Sequence, residues 1–211
     1  MIACRRFFLS LLLCLGLTAE FSLHAEASWV DGVRVKAENG DPFAQTTLGV
    51  CYELGEGVDK DPVQAVSWYE KAAQKGWAGG MVRLGKCYAA GLGIPRNEKK
   101  AAELWLQAAT MQVVPHSIQE THVQEARAAL AHALRLGLGV PQDTEKALNT
   151  AMPAAHWGLP EAEYEVAMCL LAEGPRKDKD KARVWLRQAA SGGFPLAGKT
   201  LRKLDSSVCT Q

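Results

Sequence analysis

Gly193-Phe194-Pro195-Leu196-Ala197-Gly198-Lys199-Thr200 spells G-x-x-x-x-G-K-T, the string of a phosphate-binding loop. That loop works when a strand delivers it to a helix N-terminus, so that backbone N–H groups cradle phosphate. Here the segment before it carries Ala189-Ala190 on a helical stripe, and Gly193 and Ala197 fall at positions that recur along the chain. Gly80 to Lys86 imitates the motif with Cys87 in place of the hydroxyl residue, again inside a helical pattern. Both strings are expected to be helix and turn, with no nucleotide bound.

Thiols and imidazoles come next. Cys51, Cys87 and Cys169 occupy one recurring position, where the third copy has Ala133. A free cysteine packs as a small hydrophobe, so the column reads as buried core. Stacked helices lie about 8–10 Å apart, whereas a disulfide needs Cα atoms within about 4.4–6.8 Å, which argues against a Cys51–Cys87 bond. Whether Cys169 pairs with Cys209 stays open. No C-x-x-C supports a zinc ribbon or a redox dithiol. His116, His122, His132 and His156 are scattered, and His122 with Glu125 lacks a third ligand. S-x-x-K, S-D-N, K-T-G and G-x-S-x-G are all absent. No catalytic, cofactor or metal residue is expected, and the protein reads as no enzyme.

What the chain does repeat is architecture. Leu48-Gly49-x-x-Tyr52-x-x-Gly55-x-Gly57-Val58 returns as Leu84-Gly85-x-x-Tyr88-x-x-Gly91-x-Gly93-Ile94, 36 residues on. A third copy keeps Leu130, Leu134, Gly137-x-Gly139-Val140 and Ala154-Ala155; a fourth keeps Ala162, Ala167, Leu170, Gly174 and Ala189-Ala190. A fixed period of this length marks a stacked array. Within each copy, apolar and small residues at i, i+4, i+7 and i+8 predict a first helix. Gly-x-Gly ends it, because glycine adopts left-handed φ without steric cost. Asp61-Pro62, Asn97 or Asp143 then caps a second helix.

The expected division is a leader over 1–27, an N-terminal capping half-repeat over 28–40, and repeats over 41–76, 77–112, 113–158 and 159–193. A C-terminal capping helix and tail cover 194–211. The third repeat carries a ten-residue insertion between Gln112 and about Thr121. Within it Ser117-x-x-Glu120 is a capping-box signature, so a long first helix should run from Ile118 to Leu136. As the one feature the repeat does not dictate, it is the expected place for something particular to this protein.

The leader combines Arg5-Arg6, the apolar run Phe7 to Leu17 and Ala25-Glu26-Ala27. That is the pattern of a secretory signal peptide cleaved before Ser28, too short to span a bilayer. The protein is expected to be periplasmic or secreted, with no stable membrane insertion. With 24 Lys+Arg against 23 Asp+Glu, it has no basic surplus to attract nucleic acid.

The residues A-x-x-x-L-G-x-x-Y-x-x-G-x-G-V, followed by D-x-x-x-A-x-x-W-x-x-x-A-A-x-x-G, resemble the Sel-one-like repeat family, relatives of the tetratricopeptide repeats. The likeness covers about residues 30 to 204. Repeat three departs at Ala131 and Leu134, and repeat four loses one glycine. The resemblance implies an all-α, right-handed superhelical solenoid of antiparallel helix pairs that holds proteins together, such as an envelope assembly factor or a toxin-neutralising immunity protein. It leaves as alternative a cell-wall or β-lactam-directed hydrolase or penicillin-binding protein of the cysteine-rich repeat type.

By analogy with that family, fixed columns of the first helices line a concave groove for a protein or peptide partner. They give Phe43, Thr46, Val50 and Glu53; Val82 and Lys86; Glu125, His132 and Arg135; Tyr164, Met168 and Leu171. The main recognition residues are expected to be Val50, Glu53, Val82, Lys86, His132, Arg135, Tyr164 and Met168. Lys86, His132 and Arg135 should bring solvent-facing positive charge that repeat packing does not explain.

Overall fold

A computed structural model describes residues 29–172, 174 and 177–206. The leader, its cleavage site and Cys209 lie outside the described residues. Among those described there are ten helices and no strand. Helix α1 (residues 29–38) stands alone at the front. Four antiparallel pairs follow: α2 (Pro42–Leu54) with α3 (Pro62–Gln74), α4 (Ala78–Ala90) with α5 (Glu98–Ala109), α6 (Ile118–Leu136) with α7 (Thr144–His156), and α8 (Pro160–Leu171) with α9 (Lys179–Ser191). Helix α10 (Pro195–Ser206) closes the array. Each helix packs on the next, and the first helices also pack on one another, α2 on α4, α4 on α6 and α6 on α8.

The hairpins are built from local chemistry. Asp61, Asn97, Asp143 and Asp178 each cap a second helix by accepting backbone N–H bonds in its first turn. The amides of these four residues also donate to Tyr52, Tyr88, Leu134 and Leu170 of the paired first helix, at 2.8–2.9 Å. One residue thus fixes both the start of a helix and its angle to its partner. In the first three repeats Gly55, Gly91 and Gly137 end the first helices in the left-handed region, their N–H groups donating to Cys51, Cys87 and Ala133.

Pairing within a repeat depends on a size exchange. A Cβ on Gly49 would lie 2.5 Å from the ring of Tyr69, and one on Gly85 would strike the indole of Trp105. Those aromatic rings fill the space the glycines leave, and Tyr69 is wholly buried. At the same two positions repeat three has Ala131 and Ala151, and repeat four has Ala167 and Leu186, all four fully buried. Glycine faces an aromatic ring, whereas alanine is matched with an aliphatic side chain. Close packing therefore survives the departures from the repeat pattern.

The long helix α6 starts where the capping signature places it. Ser117 Oγ accepts from the Glu120 amide at 3.2 Å, while the Glu120 carboxylate accepts from the amide of His116, which has φ 60°. The extension has a structural task. Gln119 Oε1 accepts from the Ala78 amide at 3.1 Å, capping α4, which has no side-chain cap of its own. His122 lies against Gly79, edge-on to Trp77 with ring centroids 6.2 Å apart. His116 stacks on Trp157 beyond α7. The insertion thus clasps repeats two and three together. Ser117→Ala should lower unfolding free energy by about 1 kcal/mol, the usual worth of an N-cap, as read by urea denaturation.

Candidate protein-binding groove

Because the first helices pack on one another, some of their columns are covered. The column Thr46, Val82 and Ala128 is buried, with Val82 wholly so. Val82 therefore belongs to the core and not to a binding surface, a correction to the expected lining. Only in the last repeat does this column open, where Tyr164 is half-buried and tilts against Phe194 at 5.0 Å between ring centroids. The column Val50, Lys86, His132 and Met168 is the one that reaches solvent, with Lys86 and His132 exposed and Val50 and Met168 half-buried. Phe43, Glu125 and Glu161 mark another open column, interrupted by buried Gly79.

These columns converge on a cavity of about 370 Å³ spanning repeats two to four and the start of α10. Its floor is apolar: Trp105, Ala128, Ala129, Leu159, Tyr164 and Phe194. Its mouth carries the exposed Lys86, His132, Glu161 and Leu196 with half-buried Glu125, and buried Glu165 also lines it. An apolar cavity of this size with a few convergent polar groups is the usual form of a ligand site. Val50, Glu53, Arg135 and Met168 do not line it.

Two of the expected cations are already paired. Glu165 is buried, accepting from Arg135 Nε at 2.7 Å and lying 2.8 Å from His132 Nδ1. Burial alone would raise the Glu165 carboxyl. The hydrogen bonds from His132 and Arg135, with the positive charge they bring, outweigh it and hold the group below its ordinary range. Arg135 and His132 thus serve repeat packing, contrary to the expectation of free groove charge; Glu165 itself was missed. Glu53 is likewise occupied, accepting from Tyr69 Oη at 2.5 Å and lying 3.8 Å from Arg83. Burial, then Glu53, push the Tyr69 hydroxyl well above its ordinary range, so it stays a donor.

Glu53–Arg83 and Arg135–Glu165 occupy equivalent places, from the last turn of one first helix to the middle of the next. Each pair is thirty residues apart, with the charges exchanged. The intervening repeat pair has Ala89 and Ala129 there. A sequence comparison at that offset would have found Glu165.

Of the expected positive groups, Lys86 alone keeps a free charge: it makes no ion pair among the described residues. Its field reaches Glu125. His122, with Nδ1 3.6 Å from the Glu125 carboxylate, is the chief cause that holds Glu125 low against burial, and Lys86 and Arg83 add to it.

The cysteines are free and buried at all three column positions. Burial, reinforced by Glu53 for Cys87 and Glu165 for Cys169, pushes these thiols up to about 11 and about 12. Cys51 is also raised, by burial and then Glu56. Thiolate is the reacting form, so Ellman labelling at pH 8 should leave all three untouched until the fold is opened with urea. Of the G-x-x-x-x-G-K-T string, Gly193 and Phe194 lie in the turn between α9 and α10 and Pro195 to Thr200 lie within α10, so a helix and not a strand precedes it and it lacks what its chemistry needs. Among the described residues no cluster of His, Cys, Asp and Glu could hold a metal ion, and no helix is long and apolar enough to cross a membrane.

The Sel1 repeat model matches residues 42–77, 78–113, 124–149 and 160–194. The chain belongs to the Sel1 repeat family. Its described residues form an all-α solenoid of antiparallel helix pairs, in which the third match begins beyond the insertion. The protein is 32% identical over 164 residues to an uncharacterized protein of Neisseria meningitidis serogroup B, covering 76% of this chain and 31% of that one. It is 31% identical over 137 residues to an exopolysaccharide production negative regulator of Rhizobium leguminosarum bv. viciae, covering 63% of this chain and 51% of that one. It thus spans about a third of the first relative's length and about half of the second's. Among solved structures, it matches a Sel1 repeat protein from Oxalobacter formigenes with TM-score 0.71 and 29% identity, covering 83% of this chain and 66% of the other. A protective antigen of uropathogenic Escherichia coli with an SLR fold matches with TM-score 0.68 and 29% identity, covering 85% and 36%.

Proposed function

We propose that this Sel1 repeat protein is an exported adaptor that holds a protein or peptide partner in the groove at Lys86, His132 and Tyr164. The finer role it suits is that of an envelope assembly factor or a toxin-neutralising immunity protein. One observation carries the reading: exposed columns from three successive repeats, otherwise bound to packing, open together onto a single apolar cavity with a charged mouth. A surface of that kind suits partner recognition, with apolar anchors setting dissociation and charge setting the encounter rate. Export rests on the leader pattern before Ser28.

A photo-crosslinking residue placed at Lys86 or Met168, in cells producing the full chain, tests the groove. The comparison is Val184, exposed on the second helix α9. Adducts from the two first-helix positions but not from Val184 are the expected result; equal adducts from both faces would defeat the assignment. For a partner so captured, Lys86→Glu should slow association and change its salt dependence. Tyr164→Ala should speed dissociation and cost about 1–3 kcal/mol. The processed protein should begin at Ser28 by mass spectrometry, and an intact Met1 would remove the export half of the reading.

A further inference from the structure

The charges around the cavity mouth do not balance, and their imbalance bears on what enters. Glu165 is fully engaged by Arg135 and His132. Glu125 has His122 beside it and the field of Lys86 across the mouth. Glu161 is exposed, lines the same cavity as Lys86, and makes no ion pair among the described residues. It stands in the first turn of α8 beside the apolar floor residues Leu159 and Tyr164. With Arg135 set against Glu165, and Lys86, which is in no ion pair among the described residues, offset by Glu125 whose carboxyl it helps to hold low, the lining keeps one carboxylate in excess, Glu161, beside an apolar floor. The volume of about 370 Å³ suits one large side chain and the backbone that carries it, not a folded surface.

Resting on the groove reading above, we infer that the cavity receives an aromatic or branched apolar side chain from a partner segment with a lysine or arginine next to it. The apolar group seats on Ala128, Ala129 and Tyr164, and the cation pairs with Glu161. Glu161 lies at the rim, where water screens it, so the ion pair selects among partners more than it tightens binding. Replacing the basic neighbour with an acidic one brings like charges together at the same place. Discrimination, not affinity, is the signature to measure.

The probes are three dipeptides, N-acetyl-Phe-Lys-amide, N-acetyl-Phe-Ala-amide and N-acetyl-Phe-Glu-amide, titrated to millimolar concentration into the full processed chain. The readout is the alanine methyl NMR spectrum, in which Ala128 and Ala129 report on the floor. The expected result is that all three move those methyls, with the lysine peptide binding about 3–10-fold more tightly than the glutamate peptide at low salt. Glu161→Gln should reduce that ratio to near one while leaving the alanine peptide unchanged. Added salt should narrow the ratio as well, since rim charges are screened. If the three peptides bind alike, the cavity is an apolar site but the cation preference is wrong, and the groove reading survives. A tighter glutamate peptide would reverse the preference and assign the mouth to Lys86. If no probe moves the floor methyls, the anchor proposal falls, while crosslinking from Lys86 and Met168 still judges the groove by itself.

Discussion

Glu165→Ala should destabilise the protein by roughly 3 kcal/mol, the lower end of the cost of breaking a buried ion pair by removing one partner. The substitution leaves the Arg135 guanidinium, whose side chain is 14% exposed, beside an empty site it cannot fill with water at full hydration. His132 is more open and rehydrates, which keeps the loss at that lower end. Arg135→Glu should be at least as harmful, since it sets a second carboxylate against Glu165. Exchanging the two, Arg135→Glu with Glu165→Arg, reproduces the orientation seen at Glu53 and Arg83 and should recover much of the loss. Urea denaturation of wild type, Arg135→Glu, Glu165→Arg and the double exchange forms a double-mutant cycle, and additive losses would mean the pair has no coupling. The pH dependence has a definite sign. Glu165 has a lowered folded-state value, so its contribution is complete above the ordinary glutamate value of 4.5 and disappears as pH falls through the lowered one. The difference between wild type and Glu165→Ala should therefore be flat near neutrality and shrink in acid.

That pair marks the boundary of what the sequence made legible. Helix starts and stops were readable because they depend on neighbours along the chain: Asp61, Asn97, Asp143, Ser117 and the glycines act within four residues of themselves. The long helix α6 was readable from Ser117 and Glu120 for the same reason. The groove columns were harder, because exposure depends on the next repeat. Val82 and Lys86 are four residues apart on one helix, yet Val82 is covered by its stacked neighbour and Lys86 is not. Arg135 looked like an unexplained cation since its partner lies thirty residues away on another helix. The repeat supplied the means to find it, through the reversed pair at Glu53 and Arg83, once comparison ran between repeats and not only down the columns. The roles of Gln119 and His122 in securing α4 had no comparable signal, because the insertion occurs once.

The glycines show the same limit and allow a sharp test. Gly139 and Gly158 both follow a helix, at φ 70° and 89°, so along the chain they look alike. Around Gly158 a Cβ would meet nothing within 4 Å. Around Gly139 it would collide with the carbonyl group of Glu98 and the amide of Lys99, at the start of the second helix of the preceding repeat. Gly93 makes the same approach to Pro62 and Val63 one repeat earlier. In repeats two and three the second glycine of the Gly-x-Gly is thus a contact between repeats as well as a turn. Backbone cannot swing aside as a flexible side chain can, so the collision must separate the hairpins. Gly158→Ala should cost only the left-handed strain, about 1–2 kcal/mol. Gly139→Ala should add an overpacking cost of about 1–3 kcal/mol and loosen repeat three from repeat two. Denaturation gives the two free energies, and hydrogen exchange locates the second effect: Gly139→Ala should speed exchange at the start of α5 and along the end of α6, Gly158→Ala should not. Equal costs with no change in α5 would show that the Gly139 contact relaxes freely and that the glycine is there for its turn alone.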